Sequence, residues 1–254
     1  NSAIVHAGYD PEPGTAMARL NVRGSALTKE QCAAFDVKYR QIGSLVLAFS
    51  DEEMATVRRL YENGVANGVP GVRVLTREET LAMEPNLSDA VCGALYAPSA
   101  AIVEPWDLAL ALAEAAVENG VELHLETAVT GAEKISGGWR LHTAKGDFEA
   151  RAVVNAAGVE ADLVAAMAGE PGFTTIPSRG EYYLLDKSQG YVVNHVVFQC
   201  PNRDGKGVLV SPTVHYTLIV GPNAEPSGRE DVSTQADALA FVREKAVKSV
   251  PGVN

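Results

Sequence analysis

The sequence predicts a mixed α/β chain with α+β character, in which helices, a β-meander and a mainly antiparallel sheet follow one another. Three observations carry this prediction. Capping signals open helices at Ser50 and Thr76, and a proline opens a third at Pro105. A two-residue period replaces the helical one after Gly120. Residues 171–230 are dense in strand signals broken by Gly, Pro, Asn and Asp.

In Ser50-Asp51-Glu52-Glu53 the hydroxyl and the Glu53 carboxylate can each accept a backbone N–H that the first helical turn leaves unpaired. Met54, Val57, Tyr61 and Val65 then share one face, and Gly68 is the stop. Thr76-Arg77-Glu78-Glu79 repeats the signal for a shorter helix that Pro85 must end. The third helix runs from Pro105 through Leu108, Leu112 and Ala116 to Gly120, and its small-residue face predicts close packing on a sheet. Val121, Leu123 and Leu125 alternate with Glu122, His124 and Glu126, the pattern of a half-buried strand. Three further strands form the meander. "AVTGAEKI" and "GWRLHTA" join through Ser136-Gly137-Gly138, and "DFEARAVVNAA" follows the turn at Lys145-Gly146. A parallel sheet with the meander on one side is the expected result. "GEYYLLD", "HVVFQC" and "GVLVSPTVHYTLIVG" predict the antiparallel sheet, and residues 234–249 a last helix through Leu239, Val242 and Ala246.

Composition narrows the function. Over 254 residues, 46% hydrophobic and 21% charged, the chain reads as an ordinary globular protein. Its net charge of -11 repels polyanions, so nucleic acid is not an expected partner. Cys32, Cys92 and Cys200 show no C-x-x-C spacing, which predicts neither a disulfide framework nor a zinc site and points to a reducing, cytoplasmic setting. No apolar run approaches the roughly eighteen residues of a membrane helix, so no transmembrane segment is expected, while peripheral membrane association is left open. No metal site is expected either, because the histidines are scattered and H-E-x-x-H is absent. A serine hydrolase is disfavoured by the lack of G-x-S-x-G. The chain opens in mid-pattern at Asn1 and stops at a Pro-Gly, which predicts an excised piece of a longer protein.

One stretch points to a nucleotide. In "RAVVNAAGVEADLVAAMAG", an apolar run meets Asn155-Ala156-Ala157-Gly158 and then a helical pattern in which Asp162 suits the first turn. Small side chains there would let backbone approach a phosphate or sugar. The phosphate-binding spacings G-x-G-x-x-G and G-x-x-x-x-G-K-[ST] do not occur.

Taken with "NSAIVHAGY" and Pro13-Gly14, with "GEYYLL", and with Pro212-Thr213 before Gly221-Pro222, this string resembles the FAD-dependent oxidoreductases of the D-amino-acid-oxidase (DAO) type, in the glycerol-3-phosphate dehydrogenase and L-2-hydroxyglutarate oxidase branch. The resemblance spans nearly the whole chain. It implies a partial FAD-binding, Rossmann-like sheet with its meander (residues 105–170) between two parts of a substrate-binding domain (1–104 and 171–254). The Gly-rich segment would lie N-terminal to this chain.

The same resemblance implies roles for single residues. His6 would act on the proton of a substrate hydroxyl, its ordinary pKa being near neutrality. Ser2, Arg179, Tyr182 and Thr213 would bind a small anionic substrate, Arg179 by pairing with its carboxylate or phosphate. Strand alternation sends Tyr182 and Tyr183 to opposite faces, and sheet packing is the expectation for at least one of them. Val129 and Asn155, Ala156, Ala157 and Gly158 would contact FAD. Tyr216-Thr217 stands where relatives commonly have Gly-Asn, and His124 and His142 fall outside the constellation. The implied reaction is oxidation of a small 2-hydroxy acid or polyol phosphate such as glycerol 3-phosphate by hydride transfer to FAD. An unidentified acceptor would reoxidise the flavin, and the isolated piece is expected to be inactive. Two alternatives stand beside it: an amine-oxidising enzyme of the same type, and a non-catalytic module that binds a small anion or a partner chain.

Overall fold

The computed structural model describes residues 2–169, 172–201 and 207–253; Asn1 of the quoted opening motif lies outside them. In chain order the elements are β1 (Ile4–Val5), α1 (Ala16–Ala34), β2 (Tyr39–Arg40), β3 (Ser44–Ala48), α2 (Asp51–Ala66), β4 (Arg73–Thr76), α3 (Arg77–Met83), β5 (Gly93–Ala97), β6 (Ala101–Val103) and α4 (Pro105–Glu118). There follow β7 (Val129–Ile135), β8 (Gly138–Thr143), β9 (Gly146–Ala150), α5 (Ala161–Met167), β10 (Ser178–Arg179), β11 (Tyr183–Leu185), β12 (Val196–Gln199), β13 (Leu209–Pro212), β14 (Leu218–Gly221), β15 (Glu225–Pro226) and α6 (Ala236–Ser249). The chain divides into a larger unit of residues 1–115, 180–224 and 234–254 and a smaller one of residues 116–179 and 225–233.

The larger unit is built on a seven-stranded sheet in the order β11-β14-β13-β12-β3-β5-β4. It is largely antiparallel, as the strand signals of residues 171–230 predicted for its later half, with one parallel pair between β12 and β3. β3 is buried along its whole length because both faces are covered. Leu45 and Leu47 join the core beneath α6, with Val197, Val210 and Val242. Val46 and Ala48 join the opposite one, with Val57 and Leu60 of α2. A second, three-stranded sheet, β1-β6-β2, carries the chain into α4.

Both capping signals hold. Thr76 and Glu79 form the reciprocal box, at 3.2 and 2.8 Å. At α2 the Ser50 hydroxyl accepts from Glu53 N, but the Glu53 carboxylate reaches one residue further back, to Phe49 N at 2.6 Å. α1 was not legible as a helix: only Ala18 and Cys32 are buried on it, so it has almost no apolar stripe, although its Thr15 cap is plain.

The smaller unit contains the predicted meander, β7-β8-β9, and a short β10–β15 ladder. Two expectations fail there. Residues 121–126 form no strand, and Val121, Leu123 and Leu125 are exposed. The third meander strand ends at Ala150, leaving Val153 and Val154 exposed. An alternating sequence becomes a strand only where a neighbour takes its backbone N–H and C=O groups, and no described residue pairs with either segment. The expected parallel sheet beside the meander is therefore absent among the described residues. α4 likewise buries no residue, contrary to the close packing its small face suggested.

Glu84 ties α3 to the start of β12. Its carboxylate is fully buried, and Oε1 accepts Asn194 N, His195 N and His195 Nδ1, each at 2.7 Å. Glu84→Ala strands these donors and is expected to lower the unfolding free energy by about 3 kcal/mol, read from urea denaturation. Glu84→Gln, which retains an acceptor oxygen, should cost clearly less.

Candidate active site

His6 follows β1, whose pairing with β6 sets Ile4 opposite Ile102 and Val5 opposite Ala101. The backbone then bends away through Gly8, at φ +108, where an added Cβ would lie 2.6 Å from Val22 Cγ2. Only glycine allows this loop to press on α1. Asn21 on α1 donates its amide to the His6 carbonyl at 3.0 Å. The His6 imidazole stacks on Phe198 of β12, with centroids 5.7 Å apart and planes at 26°. Backbone and ring are thus held by separate partners.

His6, half-buried, lines two spaces. One is a cavity of about 510 Å³ between β1, α1 and α4, lined by Leu20, Asn21, Ser25, Thr28, Pro105 and Leu108 among others. Its size falls within the range of small-molecule sites, and its wall is apolar with a few amide and hydroxyl groups. The other is a chamber of about 30 Å³ where His6 meets Tyr9, Asp10, Phe198 and Gln199.

Sheet register extends the face that carries Phe198. Phe198 pairs with Leu209, Leu209 with Gly221, and Tyr183 with Val220, so Phe198, Leu209, Gly221 and Tyr182 form one row. Tyr182 therefore shares the Phe198 face, while Tyr183 turns to the α6 core, as alternation predicted. Gly221, at φ +144, has no side chain because a Cβ would sit 2.8 Å from Tyr182 Cδ1. Burial pushes the Tyr182 phenol up, so at neutral pH it is a donor.

The remaining predicted residues are placed as follows. Ser2 is half-buried ahead of β1. Thr213 closes the β13–β14 hairpin: its hydroxyl bonds the Thr217 hydroxyl at 2.8 Å and accepts His215 N. His215 in turn donates to Glu104, at 2.6 Å, and Arg40 lies over the Tyr216 ring. Arg179 belongs to the smaller unit, where it is bonded to Asp231 and Ser233. Val129 starts β7 beside a bulge. Asn155, Ala156, Ala157 and Gly158 form an exposed turn, which the Asn155 side chain braces by accepting Ala157 N and donating to Ala161 O. Gly158, at φ +58, has nothing within 4 Å of a Cβ position, so the turn offers open backbone. That is the local requirement for a phosphate or ribose to approach, and the residues fit an FAD contact. Among the described residues no group of three His, Cys, Asp or Glu could hold a metal ion, and no helix is long and apolar enough to cross a membrane.

Sequence reasoning missed Phe198, Asp10 and the α1 residues Asn21, Ser25 and Thr28. Phe198 carried a strand signal but nothing that tied it to His6, and the α1 residues went unseen with their helix.

A model of the FAD dependent oxidoreductase (DAO) family matches residues 1–254. A glycerol 3-phosphate dehydrogenase of Caloramator mitchellensis is 47% identical over 251 residues, covering 98% of this chain and 52% of that protein. An L-2-hydroxyglutarate dehydrogenase of Escherichia coli K12 is 32% identical over 228 residues, covering 88% and 53%. The dithionite-reduced, FAD-bound L-alpha-glycerophosphate oxidase of Mycoplasma pneumoniae superposes with a TM-score of 0.92 at 28% identity, covering 100% of this chain and 68% of the other. Glycine oxidase of Geobacillus kaustophilus gives a TM-score of 0.85 at 28% identity, covering 98% and 67%. The chain spans about half the length of these two curated relatives.

The helix after the Asn155–Gly158 turn is anchored by Asp162, which accepts Leu163 N, Thr175 N and two bonds from Arg229, at 2.6 and 2.8 Å. The Arg229 bonds, and then the Thr175 N–H, hold this carboxyl well below the usual range. A depressed native pKa contributes stability that is complete above the unfolded carboxylate range and is lost as pH falls through it toward the native value. Asp162→Asn should therefore lower the melting temperature at neutral pH. The gap from the wild-type protein should narrow between pH about 5 and about 3, as followed by circular dichroism.

Proposed function

The chain belongs to the FAD dependent oxidoreductase (DAO) family, and from that membership and the setting of His6 we propose that the protein carrying it oxidises the C–OH group of a small anionic hydroxy compound, a 2-hydroxy acid or a polyol phosphate such as glycerol 3-phosphate. The observation that carries this reading is a half-buried histidine, its ring stacked on Phe198, in the lining of a ligand-sized cavity of about 510 Å³. FAD, when bound, supplies the hydride acceptor.

The chain's own residues would do the rest. His6 would take the hydroxyl proton as the carbon is oxidised, a task suited to a base whose ordinary pKa is near neutrality. Its stacking on Phe198 and the Asn21 bond to its carbonyl fix the ring so that little ordering is needed when substrate arrives. The apolar wall formed by Leu20, Pro105 and Leu108 would keep bulk water from that proton. Tyr182 would offer its phenolic O–H, and Ser2 its hydroxyl, to the substrate's polar groups. The Asn155–Gly158 turn would give backbone to the FAD diphosphate and ribose, and Val129 to the adenine. Arg179 and Thr213 already have partners in the structure, so their part would be to hold the local frame.

The substrate class follows the two curated relatives named above, a glycerol 3-phosphate and an L-2-hydroxyglutarate dehydrogenase. The likeness to glycine oxidase keeps an amine substrate as the second reading. Anaerobic bleaching of the flavin separates them: glycerol 3-phosphate or L-2-hydroxyglutarate should bleach it and glycine should not. His6→Asn should retain FAD and slow that bleaching about a hundredfold or more. Unchanged bleaching in His6→Asn would remove the histidine from the reaction.

A further inference from the structure

His6 stands between two spaces of very different size, and the smaller one has no role in the function proposed above. The larger cavity, of about 510 Å³, has no charged residue in its lining. The smaller chamber, of about 30 Å³, is lined by His6, Tyr9, Asp10, Val46, Phe198, Gln199 and Pro201. A space of this volume holds one or two waters, and a water needs two to four polar partners to be stable there. His6, Asp10 and Gln199, which carry an imidazole, a carboxylate and a carboxamide, are all among its lining residues. Among the described residues, Asp10 and Tyr9 are the titratable groups, besides His6, that line either space. Neither lining includes a lysine or arginine among the described residues.

We propose that Asp10 is a positioning and proton-accepting partner of His6, joined to it through water in the small chamber. The large cavity then holds the substrate, and the small chamber is the exit for its proton. This rests on the reading of His6 as the base. The step balances as a proton transfer alone: the imidazole nitrogen that bonds the substrate hydroxyl takes its proton, and the opposite ring nitrogen releases one through water to an Asp10 carboxylate oxygen. The imidazole returns to its neutral form, and the proton leaves to solvent from Asp10. Tyr9 does not compete for it, because burial, with the Asp10 charge added, pushes its phenol far up and keeps it protonated.

The test has a readout that does not depend on turnover. In the full-length protein with isotope-labelled histidine, the His6 resonance is assigned by its loss in His6→Asn and titrated by NMR. A carboxylate joined to the imidazole through water favours the imidazolium. Asp10→Asn should therefore lower the His6 midpoint by about one pH unit, tenfold in proton affinity, and Asp10→Glu should restore it. The acid limb of the pH profile for flavin reduction should move down with the midpoint. An unchanged His6 titration in a folded Asp10→Asn protein, judged by the other histidine resonances, overturns the proposal. If Asp10→Asn shifts the titration but His6→Asn still bleaches at the wild-type rate, the pair stands and the assignment of His6 as the base fails.

Discussion

The parallel pairing of β3 with β12 is the constraint on which the larger unit depends. Ser44 to Leu47 lie beside Val196 to Gln199, which fuses an early segment and a late one into a single sheet. Because β3 is apolar on both faces, the pairing is held by two cores, one under α6 and one under α2. A slip of one residue would force each set of side chains into the core shaped for the other. It is this register that puts the Phe198 ring under His6, so the candidate catalytic geometry follows from the packing of residues that touch no substrate.

The same sheet decides what its two faces can do. One face is filled by aliphatic side chains beneath α6 and is committed to stability. The other carries the Phe198, Leu209, Gly221 and Tyr182 row, where a glycine at positive φ makes room for a tyrosine ring. Around His6 this yields a division of space: a roomy, uncharged cavity for a ligand and a water-sized chamber with a carboxylate in its wall. The protein's own carboxylate thus lines the small chamber and not the large cavity.

Local chemistry was the legible part of the sequence. Ser50, Thr76 and Pro105 each open the helix they predicted, the Gly137 and Gly146 turns delimit the meander, and alternation sorted Tyr182 from Tyr183. What the sequence did not show depends on partners distant along the chain. "VELHLE" and "RAVVN" carry strand patterns without a neighbouring strand among the described residues, and α1 forms with hardly any apolar stripe. His6 could be named as a candidate from its motif, but Phe198 and Asp10 could not, because only the folded loop and sheet bring them to it. The resemblance implied that Arg179 pairs with a substrate carboxylate or phosphate; in the fold its guanidinium is bonded to Asp231 and Ser233.

The central claim is that a hydroxy substrate reacts in the cavity onto which His6 opens. A crystal structure of the flavin-loaded protein, reduced and soaked with glycerol 3-phosphate or L-2-hydroxyglutarate, tests it most directly. The account predicts the reacting hydroxyl within hydrogen-bonding distance of the His6 imidazole, about 3 Å, with the carbon chain against the α1 and α4 wall. A ligand seated elsewhere, with the His6 ring out of reach of its hydroxyl, would contradict it.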